Sequence, residues 1–248
     1  MADKNSNKYT LIYASVLVVI VAVLLAFAAI QLGPYQEQNV KLEKMQDILS
    51  SIGVESEAKE AEKLFNEYSQ EQIVLNNKGE VAKTDVKAFD IDLKKEQDKT
   101  KNGKDDERLF PMYIFNKDGE KYYIIPVRGK GLWGPIWGYV ALEGDMNTVY
   151  GTSFDHKGET PGLGAEINTA EFQQQFVGKT IFDETGNFVS VRVIKGGASP
   201  NDLHGVDAIS GGTVTSNGVT EMLQSTLKNY IPYFKSNSQL KDTPIANQ

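Results

Sequence analysis

Asp207 to Ser216 reads DAISGGTVTS and continues into NGVTEMLQSTLKNY. Ser216 is a natural helix N-cap, and Val219, Met222, Leu223, Leu227 and Tyr230 then recur at helical spacing as far as Pro232. Ser210, Gly211, Gly212 and Thr213 are thereby expected to form a small-residue loop opening into a helix N-terminus. Such a loop offers unpaired backbone N–H groups and the positive end of a helix dipole, which suits a phosphate. Gly211 and Gly212 carry no side chain to obstruct close backbone approach. Thr213, Thr215 and Ser216 add hydroxyls, and Asp207 opens the segment. Taken alone, the default reading is a structural loop before a capped helix.

A second loop lies upstream. Glu159-Thr160-Pro161-Gly162-Leu163-Gly164-Ala165 is tight and Gly/Pro-rich, and follows a strand expected to end near Phe154. Other patterns lack the context their chemistry needs. Gly129 to Gly134 (GKGLWG) matches GxGxxG, but Pro135, Trp137 and Gly138 lead into a strand rather than the helix a dinucleotide site requires. Its glycines are expected to turn the backbone tightly beside Trp133 and Trp137. Gly178-Lys179-Thr180 has Gln173 where a Walker A loop needs its first glycine. Ser225 to Lys228 matches SxxK in mid-helix without the companion motifs. His156 and Glu159 have no second histidine nearby to complete a metal site.

Composition narrows the chemistry further. The 248 residues include 33 acidic and 26 basic ones, no cysteine and two histidines, for a net charge of −7. Disulfide frameworks, iron–sulfur clusters and thiolate zinc sites are excluded, and no metal site or catalytic acid/base pair is expected. The acidity argues against a nucleic-acid partner, which would call for a basic face.

The mean hydropathy of −0.35 conceals a membrane segment. Leu11 to Ile30 is a twenty-residue run without a charge, long enough as a helix to cross about 30 Å of hydrocarbon. Ala26-Phe27-Ala28 fits a signal-peptidase pattern, but the run exceeds the usual h-region of about 7–15 residues, so an uncleaved anchor is expected. Lys4 and Lys8 precede the span, and the stretch 31–40 carries no Lys or Arg, which points the N-terminus to the cytoplasm. Removing residues 1–32 leaves 24 basic and 32 acidic residues, so the acidity belongs to the polar head.

The expected organisation is a cytoplasmic N-terminus over 1–10, a transmembrane helix over 11–32 and helical packing or stalk segments over 33–70. A domain over 71–235 and a C-terminal tail over 236–248 follow. Tyr35 to Ser50 and Glu55 to Tyr68 carry helical spacing. The stretch 92–107, dense in mixed charge, reads as a surface loop. Phe110 to Phe115, Lys121 to Val127, Ile136 to Leu142, Thr148 to Phe154 and Phe188 to Ile194 read as strands, and Thr169 as the cap of a short helix. The fold class is α+β, an antiparallel sheet with flanking helices behind a single membrane helix.

Taken as a pair, ETPGLGA and D-x-x-S-G-x-T closely resemble the FMN-binding domain found in the C subunits of the sodium-translocating NADH:quinone reductases. The related G subunits of RNF electron-transport complexes share the pattern. The anchor, the GLWGPIWGYVAL strand and the NGV helix also resemble the reductase C subunits, so the likeness runs from the anchor to about Tyr230. It implies FMN attached through its phosphate to the last residue of D-x-x-[ST]-G-A-[ST], here Thr213, with Gly212 standing where the family usually has Ala. It further implies a flavin transferase acting outside the cytoplasm, and a head on the periplasmic side of a bacterial inner membrane. Other subunits of a membrane oxidoreductase would be partners, with the chain passing single electrons between them. Thr160 would offer the flavin a hydrogen bond, Leu163 an apolar face and Lys195 a charge near the phosphate. Trp133 would cover the ring or serve as a core aromatic, and Glu159, Gly164 and Thr215 would line the same site. An RNF subunit, a membrane-anchored sensory module and a free-standing flavin enzyme are the competing readings.

Overall fold

In the computed structural model, which describes residues 6–237, helix α1 (Asn7–Ser51) runs unbroken from the apolar stretch into the amphipathic one. The expected transmembrane helix and the first helical stretch after it, Tyr35 to Ser50, are therefore one element. Pro34 lies inside it, and its missing N–H leaves the Ile30 carbonyl without a helical donor just where the apolar run ends. The large side chains of that run are exposed, and α1 has the length and composition to cross a membrane. Hydrocarbon would be a compatible surrounding, because a helix satisfies its backbone internally. Residues 1–5 of the expected N-terminus and 238–248 of the expected tail lie outside the described residues.

A compact unit begins at Met45. Its frame is a five-stranded antiparallel meander of β1 (Ser69–Leu75), β2 (Phe110–Lys117), β3 (Glu120–Lys130), β4 (Pro135–Leu142) and β5 (Val149–His156), paired in that order. The β2–β3 turn is Asp118-Gly119, both at positive φ (56° and 86°), the twist that suits a two-residue hairpin. Strand β1 escapes sequence reading because it lies at the sheet edge and its first half is largely exposed, leaving only Ile73, Val74 and Leu75 as an apolar signal.

Both faces of the sheet are buried, which is why its strands read as runs rather than alternations. Met112, Ile114, Ile125, Val140 and Leu142 point to one core. Helix α5 (Thr213–Leu227) and α4 (Ala170–Gln174) supply Val219, Met222, Leu223 and Phe172 to the same core. Tyr113, Phe115, Ile124, Tyr139 and Ala141, one residue out of step, point to the other with Ile48, Leu49, Ile52 and Phe65 of α1, its following turn and α2 (Ala58–Tyr68). Period two thus divides each strand between two helical layers. Thr169 caps α4 as expected, accepting from Phe172 N at 3.4 Å.

Two expectations are corrected. The stretch 92–107 contains helix α3 (Leu93–Lys101), started by Asp92, whose carboxylate accepts from Lys94 N (2.9 Å) and Lys95 N (3.3 Å). Lys99–Glu96 and Lys101–Asp98 pairs one turn apart let mixed charge support the helix rather than dissolve it. The apparent strand from Phe188 to Ile194 is reduced to β6 (Arg192–Ile194), because Ser190 turns to a φ of 60°. Strand β6 pairs in parallel with β7 (Gly205–Asp207), adding a parallel pair to the antiparallel frame. Beyond α5, a single 3₁₀ turn leads into α6 (Ile231–Asn237), where Pro232 sits in the first turn and needs no helical N–H.

Candidate functional site

The loop carrying Thr213 is built by β7 and α5. Asp207 ends β7 as an exposed residue, its Oδ1 accepting from Ala198 N at 2.7 Å and its own N–H donating to Gln175 Oε1 at 2.8 Å. The chain then turns through exposed Ser210 and through Gly211, whose φ of +74° strains any residue with a Cβ. Helix α5 starts at Thr213, not after Ser216, with Gly212 in the capping position. The reason is Ser216 itself: its N–H bonds Gly212 O at 2.9 Å, and its hydroxyl turns back to accept from Ile209 N at 3.2 Å. The N–H groups of Thr213, Val214 and Thr215 consequently form the open first turn of a fifteen-residue helix. The half-buried Thr213 makes no side-chain hydrogen bond with any described residue.

Glu159 organises the surroundings. It is 4% exposed, and its carboxylate accepts from Trp133 N (2.8 Å), Leu132 N and Gly134 N (both 3.3 Å), and Thr215 Oγ1 (2.6 Å). Burial alone would raise this carboxyl, but the Thr215 and backbone hydrogen bonds outweigh it and hold the group below the ordinary carboxylate range. One buried charge therefore ties the β3–β4 loop, the ETPGLGA loop and the start of α5 together. Two glycines make room: a Cβ on Gly131 would press on Glu159 Oε1, and one on Gly164 would press on both Thr215 Oγ1 and Glu159 Oε2. His156, rejected above as a metal ligand, accepts from Glu159 N through Nδ1 at 3.1 Å.

The remainder of ETPGLGA faces the loop that carries Thr213. The Thr160 carbonyl accepts from Leu163 N (3.0 Å) and Ala165 N (3.1 Å), closing the turn while the residue stays exposed. A Cβ on Gly211 would meet Leu163 Cδ2 at 2.6 Å, so the Leu163 side chain lies over that glycine. Trp133 is 70% exposed, which overturns the core-aromatic alternative: its backbone is held by Glu159 while its indole is free. Leu132, Leu163 and Val214 are exposed as well, so an apolar rim borders the open helix start. Leu132 and Val214 escape sequence reading, where neither periodicity nor a motif separates an exposed apolar residue from a buried one. Lys195 follows β6 as an exposed residue; Ile194 beside it pairs with Asp207, which brings the lysine to the same edge as the start of the Thr213 loop. A polar helix start with a free hydroxyl, bare glycines and an apolar rim fits a phosphate joined to a flat aromatic body.

Residues 131–228, which hold Trp133, both loops and α5, match the FMN-binding domain family. Over 230 residues the chain is 35% identical to the C subunit of the Na(+)-translocating NADH-quinone reductase of Vibrio vulnificus, spanning 88% of this chain and 90% of that one. The chain belongs to that C-subunit family. The corresponding protein of Pseudomonas aeruginosa is likewise 35% identical, over 242 residues, with 90% and 92% of the two chains covered. Among solved structures, the C subunit from Parabacteroides distasonis superposes with a TM-score of 0.73 at 44% identity, over 81% of this chain and 95% of the other. NqrC of Shewanella oneidensis does so at 0.66 and 28%, over 80% and 99%. The likeness to solved C subunits supports the antiparallel-sheet domain, the family's members are subunits of an oxidoreductase, and α1 fits a single-pass anchor.

Proposed function

We propose that this chain is the FMN-carrying subunit of a sodium-translocating NADH:quinone reductase, with the flavin joined by a phosphoester to Thr213 and the head on the periplasmic side. The observation that carries the reading is the Thr213 hydroxyl, unbonded and placed at the first position of α5. A phosphate there would meet the open N–H groups of the first turn and a helix dipole worth about 0.3–1 kcal/mol to a nearby anion. FMN, when bound, supplies the reversible one-electron chemistry. The chain's own residues attach, orient and shield. Gly211 and Gly212 keep the acceptor loop bare, Leu163 and Trp133 offer apolar surface, and Thr160 and Ser210 stand exposed at its edge. Asp207 shapes the entrance to the loop and Lys195 adds a positive charge on that side. Glu159, Gly164 and Thr215 act beneath, as the brace that keeps the three segments in register. No nicotinamide site is assigned to the chain, so NADH would be oxidised by another subunit.

The test is intact-mass measurement on protein made with and without a flavin transferase. An FMN-sized addition and in-gel ultraviolet fluorescence are expected with the transferase only, and both should vanish in Thr213→Ala. An adduct that survives the substitution assigns the bond to another residue.

A further inference from the structure

A concavity of about 520 Å³ lies between α3, the adjoining ends of β3 and β4, and α5. Volumes of this size seat ligands or anchoring side chains. Its floor is Gly129, Gly218, Pro135 and Met222: a Cβ on Gly129 would overlap Met222, and one on Gly218 would run into the Lys130 carbonyl, so strand and helix backbones are in close approach. Four cations line it, Lys94, Lys101, Arg128 and Lys130, against two anions, Asp98 and Glu221. In a head with eight more acidic than basic residues, this is a local reversal of sign.

Asp98 and Glu221 leave the four cations two charges in excess, although Lys101, Lys94 and Arg128 all lower the Asp98 carboxyl. Asp98 pairs with Lys101 at 2.7 Å, and no ion pair engages Lys94, Lys130 or Arg128 among the described residues. Arg128 is held in place by a reciprocal clamp: its Nη1 donates to Gln97 Oε1 at 3.1 Å while Gln97 Nε2 donates to the Arg128 carbonyl at 2.7 Å. The other guanidinium donors make no bond to any described residue, leaving an oriented edge of the kind that takes a carboxylate on two N–H groups.

We propose that this groove seats an acidic segment of a partner subunit, with one carboxylate on the open edge of Arg128 and others near Lys94 and Lys130. The proposal rests on the reading of the chain as a reductase subunit. The three lysines are exposed and distributed over α3 and the end of β3, an arrangement that answers a run of carboxylates better than a single compact anion. The groove also shares Lys130 and Gly134 with the loop that Glu159 holds beside α5. A partner seated here would contact the same loop that carries Trp133.

The assembled membrane complex provides the test. The double variant Lys94→Glu with Lys130→Glu, and separately Arg128→Gln, which retains an amide for the Gln97 clamp, are compared with wild type for copurifying subunits and in-gel flavin fluorescence. Expected is unchanged fluorescence with roughly tenfold weaker copurification of the double variant at about 0.15 M salt, and wild-type assembly that weakens as salt rises. Arg128→Gln should weaken assembly without changing fluorescence. Fluorescent variants that copurify their partners as wild type does would overturn the proposal. So would saturable binding of AMP or inorganic phosphate at Arg128 of the isolated chain with assembly untouched, which would make the groove a small-anion site. A wild-type chain that gathers no other subunits and carries no flavin would overturn the reductase reading and the groove with it, a result distinct from failure of the variants alone.

Discussion

The hydroxyl of Thr215 donates to the buried carboxylate of Glu159 at 2.6 Å, joining the first turn of α5 to a loop 56 residues earlier in the chain. The same carboxylate gathers three consecutive backbone N–H groups from Leu132 to Gly134. Glu159→Gln cannot reproduce this set, since its amide nitrogen would face a donor. Leaving buried donors unpaired costs about 1–3 kcal/mol. The urea midpoint of the detergent-solubilised chain should fall accordingly in Glu159→Gln, and by a smaller amount in Thr215→Val. Midpoints equal to wild type in both would remove Glu159 as the brace.

The same group sets a pH dependence. Its folded-state value lies below the ordinary one near 4.5, so its stabilisation is complete above that pH and is lost as pH falls through the lowered folded value. The stability gap between wild type and Glu159→Gln should be constant from about pH 6 to 8 and begin to narrow as pH falls below the ordinary value near 4.5. Comparing the two proteins isolates Glu159 from Asp98, Asp105 and Asp183, whose carboxyls are also lowered. Unfolding curves across pH measure the gap, and one that persists unchanged to about pH 3 would contradict the assignment.

Adjacent glycines in the acceptor loop should respond differently. Gly211→Ala forces a φ of +74° on a residue with a Cβ and sets that Cβ against Leu163, at a cost of about 1–2 kcal/mol before the contact is counted. Flavin attachment should drop sharply. Gly212 has an ordinary φ of −96°, and an added Cβ would lie 3.0 Å from Ile209 Cγ2, 3.1 Å from its Cβ and 3.3 Å from the Leu163 carbonyl carbon, contacts that a shift of a few tenths of an ångström would relieve. Gly212→Ala should be fluorescent in gel at close to the wild-type level. Equal loss in both would show that the loop tolerates no added bulk whatever its backbone conformation.

Helix α3 depends on its cap. Asp92→Ala removes the acceptor for Lys94 N and Lys95 N and should cost about 0.5–2 kcal/mol, felt locally. Hydrogen exchange should accelerate at those two amides and along 93–101, while the amides of β3 keep their protection. Unchanged exchange at Lys94 and Lys95 would mean that the end is held by something other than the cap.

How much was legible follows the range of the forces involved. The apolar run of α1, strands β2 to β5, the Thr169 cap and the two site loops announce themselves through neighbours in sequence: hydropathy, period, turn residues and local hydroxyls. Mixed charge over 92–107 misled because Asp92 and the one-turn ion pairs outweighed a composition that suggested solvent. The α5 start misled because Ser216 has two possible uses, and only packing against Ile209 selects the one made.

The chain's local chemistry alone therefore determined an α+β head after an apolar helix, and a bare glycine loop with hydroxyls at Thr213, Thr215 and Ser216 before a helix; the choice of Thr213 among them is what the family resemblance implied. The fold decided what surrounds that residue. Glu159 reads in the sequence as one more loop carboxylate; burial beside Gly131 and Gly164 leaves its charge no water to solvate it, so four donors from two distant segments must converge there. That convergence is nonlocal, and it turns two separate motifs into one site.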